Sequence, residues 1–258
     1  DWKNKRLVAS NNKDNAIVQS ITCTRDSNKL SILSVGEKFM KMWTINGRNM
    51  IGTKIRTSSD TAKGSVQMFY CTTLFKGRFA VGCADGSIYI FNSDDKSVKE
   101  IVMHYKGNKK SKSKQVNALV ADDDNNVLLS GGKDGFIRVW TTDKLLMDQS
   151  CNIFNLDVST LEFESHLTLN AKIINAISHR KDHNNDDYYI IFGTRGSEIV
   201  EIKYNKDSSS KSSSDDTAII TGNRPLIQGH CNDELWGLAC HPKLPFFATT
   251  GDDTFLRF

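Results

Sequence analysis

The chain has 258 residues, 38% of them hydrophobic and 25% charged, with 34 basic against 30 acidic side chains and a formal charge of +4. That length buries a full core in a single all-β domain, and no run of about 18 apolar residues is available as a helical membrane span. The charge is too small to select a class of partner beyond a mild bias toward acidic ones.

Taken in chain order, the elements repeat. Asp1–Ser10, "DWKNKRLVAS", reads as the tail of a third strand followed by an outer fourth strand over 6–10. Next comes an apolar run, "AIVQSITC", followed by "LSILSVGEKFMKMW" (Leu30–Trp43). The same pair recurs as "SVQMFYC" with "FAVGCADGSIYIF" (Phe79–Phe91), and as "QVNALVA" with "LLSGGKDGFIRVW" (Leu128–Trp140). It returns as "KIINAIS" with "IIFGTRGSEIVEI" (Ile190–Ile202), and as "ELWGLAC" with "FATTGDDTFLRF" (Phe247–Phe258). The closing apolar or aromatic positions 43, 91, 140 and 202 lie 48, 49 and 62 residues apart. A further run such as "SVKEIVMHY" (Ser97–Tyr105) follows the repeat.

Strands after the turns alternate, as half-buried strands do. Asp85-Gly86 and Asp134-Gly135 are expected to be two-residue hairpin turns with both residues at positive φ. Five such units predict an all-β propeller of four-stranded antiparallel blades, because one sheet of this kind cannot bury both faces alone. Residues 1–258 form a single propeller or a large part of one, expected to be a piece of a longer multi-propeller protein. Either the strand over 6–10 completes the last blade, or the chain is part of a larger ring. The six cysteines (23, 71, 83, 151, 231, 240) form no CxxC pair and mostly sit in apolar runs, so buried reduced thiols and a cytoplasmic setting are expected. No secretory leader is read at the N-terminus.

"VGEKFMKMWTI" (Val35–Ile45), "GGKDGFIRVW" (Gly131–Trp140), "GTRGSEIVEI" (Gly193–Ile202) and "QGHCNDELWGLACHP" (Gln228–Pro242) occur in that order. Over nearly the whole chain this resembles the WD-repeat propeller region of the echinoderm microtubule-associated protein-like family. The resemblance implies tandem propellers that bind tubulin or microtubules, a cytoskeletal location and no catalysis. That family's N-terminal coiled coil and basic region have no counterpart in these 258 residues.

Several constellations invite chemistry. His230-Cys231 and Cys240-His241 offer four metal-competent side chains, but zinc needs them to converge tetrahedrally. Cys240 and His241 are adjacent on a strand and point to opposite faces. Gly229-His230 sits where WD repeats carry a structural Gly-His, so His230 is expected to bond a turn carboxylate such as Asp253. Trp43, Asp134 and Trp140 are expected in the same blade-locking role. "SGGKDG" lacks the Gly-Lys-Ser/Thr ending and following helix of a phosphate loop. Asp122-Asp123-Asp124 reads as a solvated hairpin turn, and Trp236 as a core aromatic of an inner strand. No catalytic or cofactor motif is found, and no cofactor or metal is expected.

Two inserts stand apart. "KGNKKSKSK" carries Lys106, Lys109, Lys110, Lys112 and Lys114 without an acid, joining an outer strand to the next inner strand. It is a solvated loop or, more sharply, a contact for an acidic partner such as tubulin's tails. "NKDSSSKSSSDDT" (Asn205–Thr217) cannot bury enough apolar surface to order itself. The expected function is a non-enzymatic microtubule-associated scaffold that binds tubulin or other proteins. The alternative is a general WD-repeat adaptor in a signalling or ubiquitin-ligase assembly. RNA binding is disfavoured by the absence of aromatics between the lysines.

Overall fold

Five antiparallel sheets follow one another along the computed structural model, which describes residues 3–11, 16–24, 30–104, 114–141, 152–163, 168–182, 187–205, 219–230 and 235–258. Blade 1 comprises β1 (Val18–Cys23), β2 (Ile32–Gly36), β3 (Phe39–Asn46) and β4 (Asn49–Lys54). Blade 2 comprises β5 (Phe69–Phe75), β6 (Arg78–Cys83), β7 (Ser87–Asn92) and β8 (Glu100–Met103). Blade 3 comprises β9 (Val116–Asp122), β10 (Val127–Gly132), β11 (Phe136–Thr141) and β12 (Asn152–Asp157), with a 3-10 turn over Val158–Thr160. Blade 4 comprises β13 (Ile174–Lys181), β14 (Asp187–Thr194), β15 (Glu198–Asn205) and β16 (Ile219–Gln228). The fifth sheet has three described strands, β17 (Leu235–Cys240), β18 (Phe247–Gly251) and β19 (Leu256–Arg257). Within every sheet the strands are ordered as in the sequence, the up-and-down arrangement that short connections impose.

The core lies between sheets rather than inside one. Neighbouring residues of a strand enter different cores, because side chains alternate across the sheet. Leu128 packs toward blade 2 with Ile88, Ile90 and Val102, while Leu129 packs toward blade 4 with Ile190 and Ile202. Blades 1 and 2 share a third layer built on Leu33, Val35, Met40, Phe69 and Phe79. Leu128, Leu129, Leu33 and Phe79 are each fully buried. Blade 5 differs: Leu238 is 68% and Leu256 56% exposed, so this sheet adds little to any core in the structure. The outer-facing side of blade 1 is open too, as a groove of about 230 Å³ lined by Val18, Ile32, Phe39 and Trp43.

Two expectations need correction. Gly86 (φ 87°) and Gly135 (φ 84°) take positive φ, but Asp85 and Asp134 do not. Each turn is a three-residue loop, closed by Gly86 N–H to Cys83 O and Gly135 N–H to Gly132 O, both 3.3 Å. The Asp is needed for its side chain instead. Oδ1 of Asp85 accepts from Ser87 N at 3.0 Å, that of Asp134 from Phe136 N at 3.2 Å, and that of Asp253 from Phe255 N at 3.3 Å. Such a side chain imitates a backbone turn and fixes the strand start.

The N-terminal segment does not join blade 5. Ser10 N–H donates to Arg48 O at 3.1 Å and Ser10 O accepts from Met50 N at 3.2 Å, a parallel bridge to Asn49 on blade 1. The edge of β4 offers unpaired backbone groups there, and Ser10 takes them. Residues 6–9 carry no strand.

The burial contrast predicts a mutational contrast. Leu128→Ala and Leu129→Ala should each lower the unfolding free energy in urea by about 2–5 kcal/mol. Leu256→Ala should cost less than about 0.5 kcal/mol. Equal losses at all three would place blade 5 in a closed core and overturn this description.

Candidate functional site

The turn between β10 and β11 anchors a buried polar chain. Trp140 Nε1 lies 2.8 Å from Ser130 Oγ, which lies 2.7 Å from His104 Nδ1; His104 Nε2 lies 3.1 Å from Asp134 Oδ1. One assignment runs along the chain: Trp140 donates to Ser130, Ser130 to Nδ1, and Nε2–H to Asp134, with Arg138 Nη1 also 3.0 Å from Nε2 and Arg138 Nε buried without a hydrogen-bond partner among the described residues. Arg138 closes the chain from Nη1 to Asp134 Oδ2 at 3.0 Å. The His104 side chain is fully buried and Arg138 and Asp134 nearly so. His104 comes from the end of blade 2, so this chain fastens blade 2 to blade 3. Burial holds the His104 imidazole below its ordinary pKa despite the hydrogen bond to Asp134. Burial also works against the Asp134 carboxylate, but hydrogen bonding and charge from His104 and the charge of Arg138 prevail and keep its pKa low.

Other blades build variants of this chain. In blade 5, His230 Nδ1 lies 2.7 Å from Asp253 Oδ1 and Nε2 lies 2.9 Å from Thr249 Oγ1. Arg257 Nη1 donates to Asp253 Oδ2 at 2.6 Å, repeating the Arg138–Asp134 spacing of four residues. Among its described residues, blade 1 shows the Trp43 Nε1 to Ser34 Oγ bond, 2.7 Å. In blade 2, Tyr89 OH accepts from Ser65 N at 2.8 Å and Gln67 Nε2 at 3.0 Å, and Gln67 Oε1 receives Asp85 N. Blade 4 moves its carboxylate onto the strand. Glu198, 1% exposed, accepts from Asn170 N and from Thr194 Oγ1.

A second buried relay joins blades 3 and 4. Asp122 Oδ2 lies 2.8 Å from His179 Nδ1, and His179 Nε2 lies 2.8 Å from Tyr204 OH. Asn125 donates to Asp122 through both its backbone and side chain. Asp122 therefore belongs to a hairpin turn, as expected, but it is held against the neighbouring blade rather than merely solvated. Burial tends to raise its carboxyl, yet the bonds from Asn125 and His179 keep it low; burial pushes the Tyr204 phenol well up. An Asp-His-Tyr arrangement resembles an activated nucleophile. With Tyr204 only 1% exposed, no substrate reaches it, and the relay acts as a clamp.

The remaining sequence candidates scatter. Cys231, Lys106, Lys109, Lys110 and Lys112 lie outside the described residues, as does 206–217 of the Ser-rich insert. Lys114 is half-buried, just before β9. His241 Nδ1 accepts from Lys243 N and Leu244 N at 3.1 and 3.0 Å, capping a turn away from the His230–Asp253 pair. Among the described residues no three His, Cys, Asp or Glu side chains are placed to hold a metal, and no helix is long and apolar enough to cross a membrane. Trp236 is not a core aromatic. It is 71% exposed, with Nε1 on Asp252 Oδ1, and among the described residues no strand covers that face of blade 5.

His104, Glu198 and the Asp122–His179–Tyr204 relay were not singled out from the sequence. The available signal for His104 was its offset: it precedes Asp134 by 30 residues, as His230 precedes Asp253 by 23.

The WD domain, G-beta repeat model matches residues 93–141 and 220–258. Together with the four-stranded blades and their turn carboxylates, that decides the architecture. This chain is a WD-repeat β-propeller. The 77 kDa echinoderm microtubule-associated protein of Strongylocentrotus purpuratus is 22% identical over 98% of this chain, and this chain spans 30% of its length. Among solved structures, the WD40 propeller domain of Doa1 matches with TM-score 0.51 and 15% identity, over 93% of this chain and 63% of that one. Raptor of Chaetomium thermophilum matches with TM-score 0.52 and 11% identity, over 92% of this chain and 19% of that one. WD-repeat propellers typically act as interaction scaffolds that bind other proteins, and no observation on this one indicates catalysis.

The His104 network predicts a pH dependence. The folded state holds His104 neutral with a lowered pKa, whereas the unfolded chain protonates it below about pH 6.5. Its contribution is thus complete above that pH and lost as pH falls below it; the lowered Asp134 carboxyl adds a second loss below about pH 4. Urea midpoints should fall from pH 7 to pH 5. In His104→Gln the midpoint should be lower at pH 7 and flatter across that window; an unchanged slope would remove His104 as the cause.

Proposed function

We propose that this propeller is a non-enzymatic scaffold of the microtubule cytoskeleton and that it binds tubulin through its acidic tails. The observation that carries the reading is the match to a curated microtubule-associated protein over nearly the whole chain. Charge supports it: Lys106–Lys114 puts five lysines and no acid on the connection between blades 2 and 3. That connection leaves the same end of the sheets as the β10–β11 turn, since Val116 at the start of β9 pairs with Gly132 at the end of β10. Exposed lysines hold an acidic tail by attraction that is weak per pair and screened by salt, about 1 kcal/mol or less each. Several pairs are therefore needed, and the insert supplies them together. The chain contributes one propeller region to a longer protein in the cytoplasm.

The test is binding of the purified chain to soluble tubulin, intact and with its acidic tails removed by protease. Intact tubulin should bind more tightly than trimmed tubulin, and the difference should shrink between 50 and 200 mM salt. Changing Lys109, Lys110 and Lys112 to Glu should weaken binding to intact tubulin only. A folded chain that ignores both forms of tubulin would refute the proposal and favour an adaptor in another assembly.

A further inference from the structure

Beyond the insert, one end of blades 3 and 4 carries a row of cations built into the fold. Lys114 and Gln115 lead into β9, and Gln115 O accepts from Lys133 N at 2.9 Å, which sets Lys133 beside the Lys114–Gln115 step. Lys133 is in the β10–β11 turn. The aliphatic stem of Lys172 covers the next residues of that turn: a Cβ on Gly135 would meet its Cβ, Cγ and Cδ at 3.0–3.1 Å. Lys172 precedes Ile173, whose carbonyl accepts from Arg195 N at 2.9 Å in the β14–β15 turn. Lys114, Lys133, Lys172 and Arg195 therefore follow one another across the blade boundary beside the inner strands.

Two features make this row more than a scatter of surface charge. First, the carboxylates of these two turns do not neutralise it. Asp134 and Glu198 are 8% and 1% exposed; Asp134 is taken by His104 and Arg138, Glu198 by Asn170 and Thr194. Among the described residues, Lys133, Lys172 and Arg195 form no ion pair with a carboxylate, and Lys172 and Arg195 are exposed. Asp157 ends the outer strand β12, paired with Phe136, and Glu162 follows it; Asp157 is engaged by Ser159 N and Oγ. Second, the support is rigid. Asn117 Nδ2 donates to Ile174 O at 2.8 Å, tying the inner strands of the two blades beneath the row. A fixed cation row binds an extended polyanion with less ordering cost than four mobile side chains would.

We propose that Lys114, Lys133, Lys172 and Arg195 form a linear site for an extended acidic peptide segment lying across blades 3 and 4. This rests on the acidic-partner reading above and adds the surface that reads the segment. A peptide is favoured over RNA because the aromatic beside the row, Phe136, has the Arg138 guanidinium over its ring at 4.7 Å, leaving no free stacking platform.

The test uses a fluorescent ten-residue polyglutamate peptide and the full 258-residue chain. Lys133→Glu, Lys172→Glu and Arg195→Glu should each weaken binding by about 3- to 10-fold, and the triple change by on the order of 100-fold. Lys243→Glu, in the β17–β18 turn at the opposite end, should leave it within about 2-fold. Near-ultraviolet circular dichroism verifies that each variant is folded. Polyglutamate binding that survives the triple change in a folded protein overturns the site. So does tighter binding of an oligouridine of equal charge that the triple change abolishes. If polyglutamate binds through the row while tubulin does not bind, the site stands and the tubulin reading fails; if tubulin binds undiminished by the triple change, the reverse holds.

Discussion

A four-stranded antiparallel sheet with apolar residues on both sides has no stable existence alone, and every feature of this chain follows from that constraint. Each blade must cover one face with the blade before it and the other with the blade after it. Leu128 and Leu129, successive residues on one strand, serve two different cores for this reason. The layers then behave as a stack in which each interface is a nearest-neighbour term. Where a neighbour is lacking in the structure, as on the outer side of blade 1 and around blade 5, apolar side chains such as Ile21 and Leu238 are left exposed.

Packing alone would let sheets slide over one another, since apolar contact is not directional. Direction comes from the polar chains. His104 leaves blade 2 and ends at Asp134 of blade 3; Asp122 leaves blade 3 and ends, through His179, at Tyr204 of blade 4. They act at opposite ends of the blades. A buried histidine with both nitrogens occupied tolerates little displacement before a group is left unsatisfied, which carries a larger penalty than the bond's own worth. The two clamps fix register at the top and bottom of the stack.

Most of the fold was legible because it is periodic. "LLSGGKDGFIRVW" and its copies contain the strand, the turn and the next strand in one contiguous piece, and local alternation carries the signal. The turn type was not legible because Asp-Gly has two uses, which the φ of Asp134 and the hydrogen bond from Phe136 N to its side chain distinguish. His104 was hidden by its context: no glycine precedes it, and the lysine-rich insert stretches its distance from Asp134. The Asp122–His179–Tyr204 relay was illegible in principle, since its members are 57 and 25 residues apart and meet only when two blades stack. The cation row was half legible. Lys114 belonged to an obvious cluster, whereas Lys172 and Arg195 look like ordinary surface residues until backbone hydrogen bonds line them up.

Blade 4 bears on how propellers are counted. Its turn carries Gly196 where blades 2 and 3 carry Asp85 and Asp134, and it satisfies the same need with Glu198, two residues further along at the start of β15. A search keyed to the aspartate would pass over this repeat, although its sheet is as complete as its neighbours and its core residues Ile190, Phe192 and Ile202 are among the best buried. What blade 4 shares with blades 3 and 5 is a carboxylate enclosed by donors, not a letter at a position. Enumerating blades by hydrogen-bonded sheets rather than by signature is the sounder practice for diverged members of this architecture.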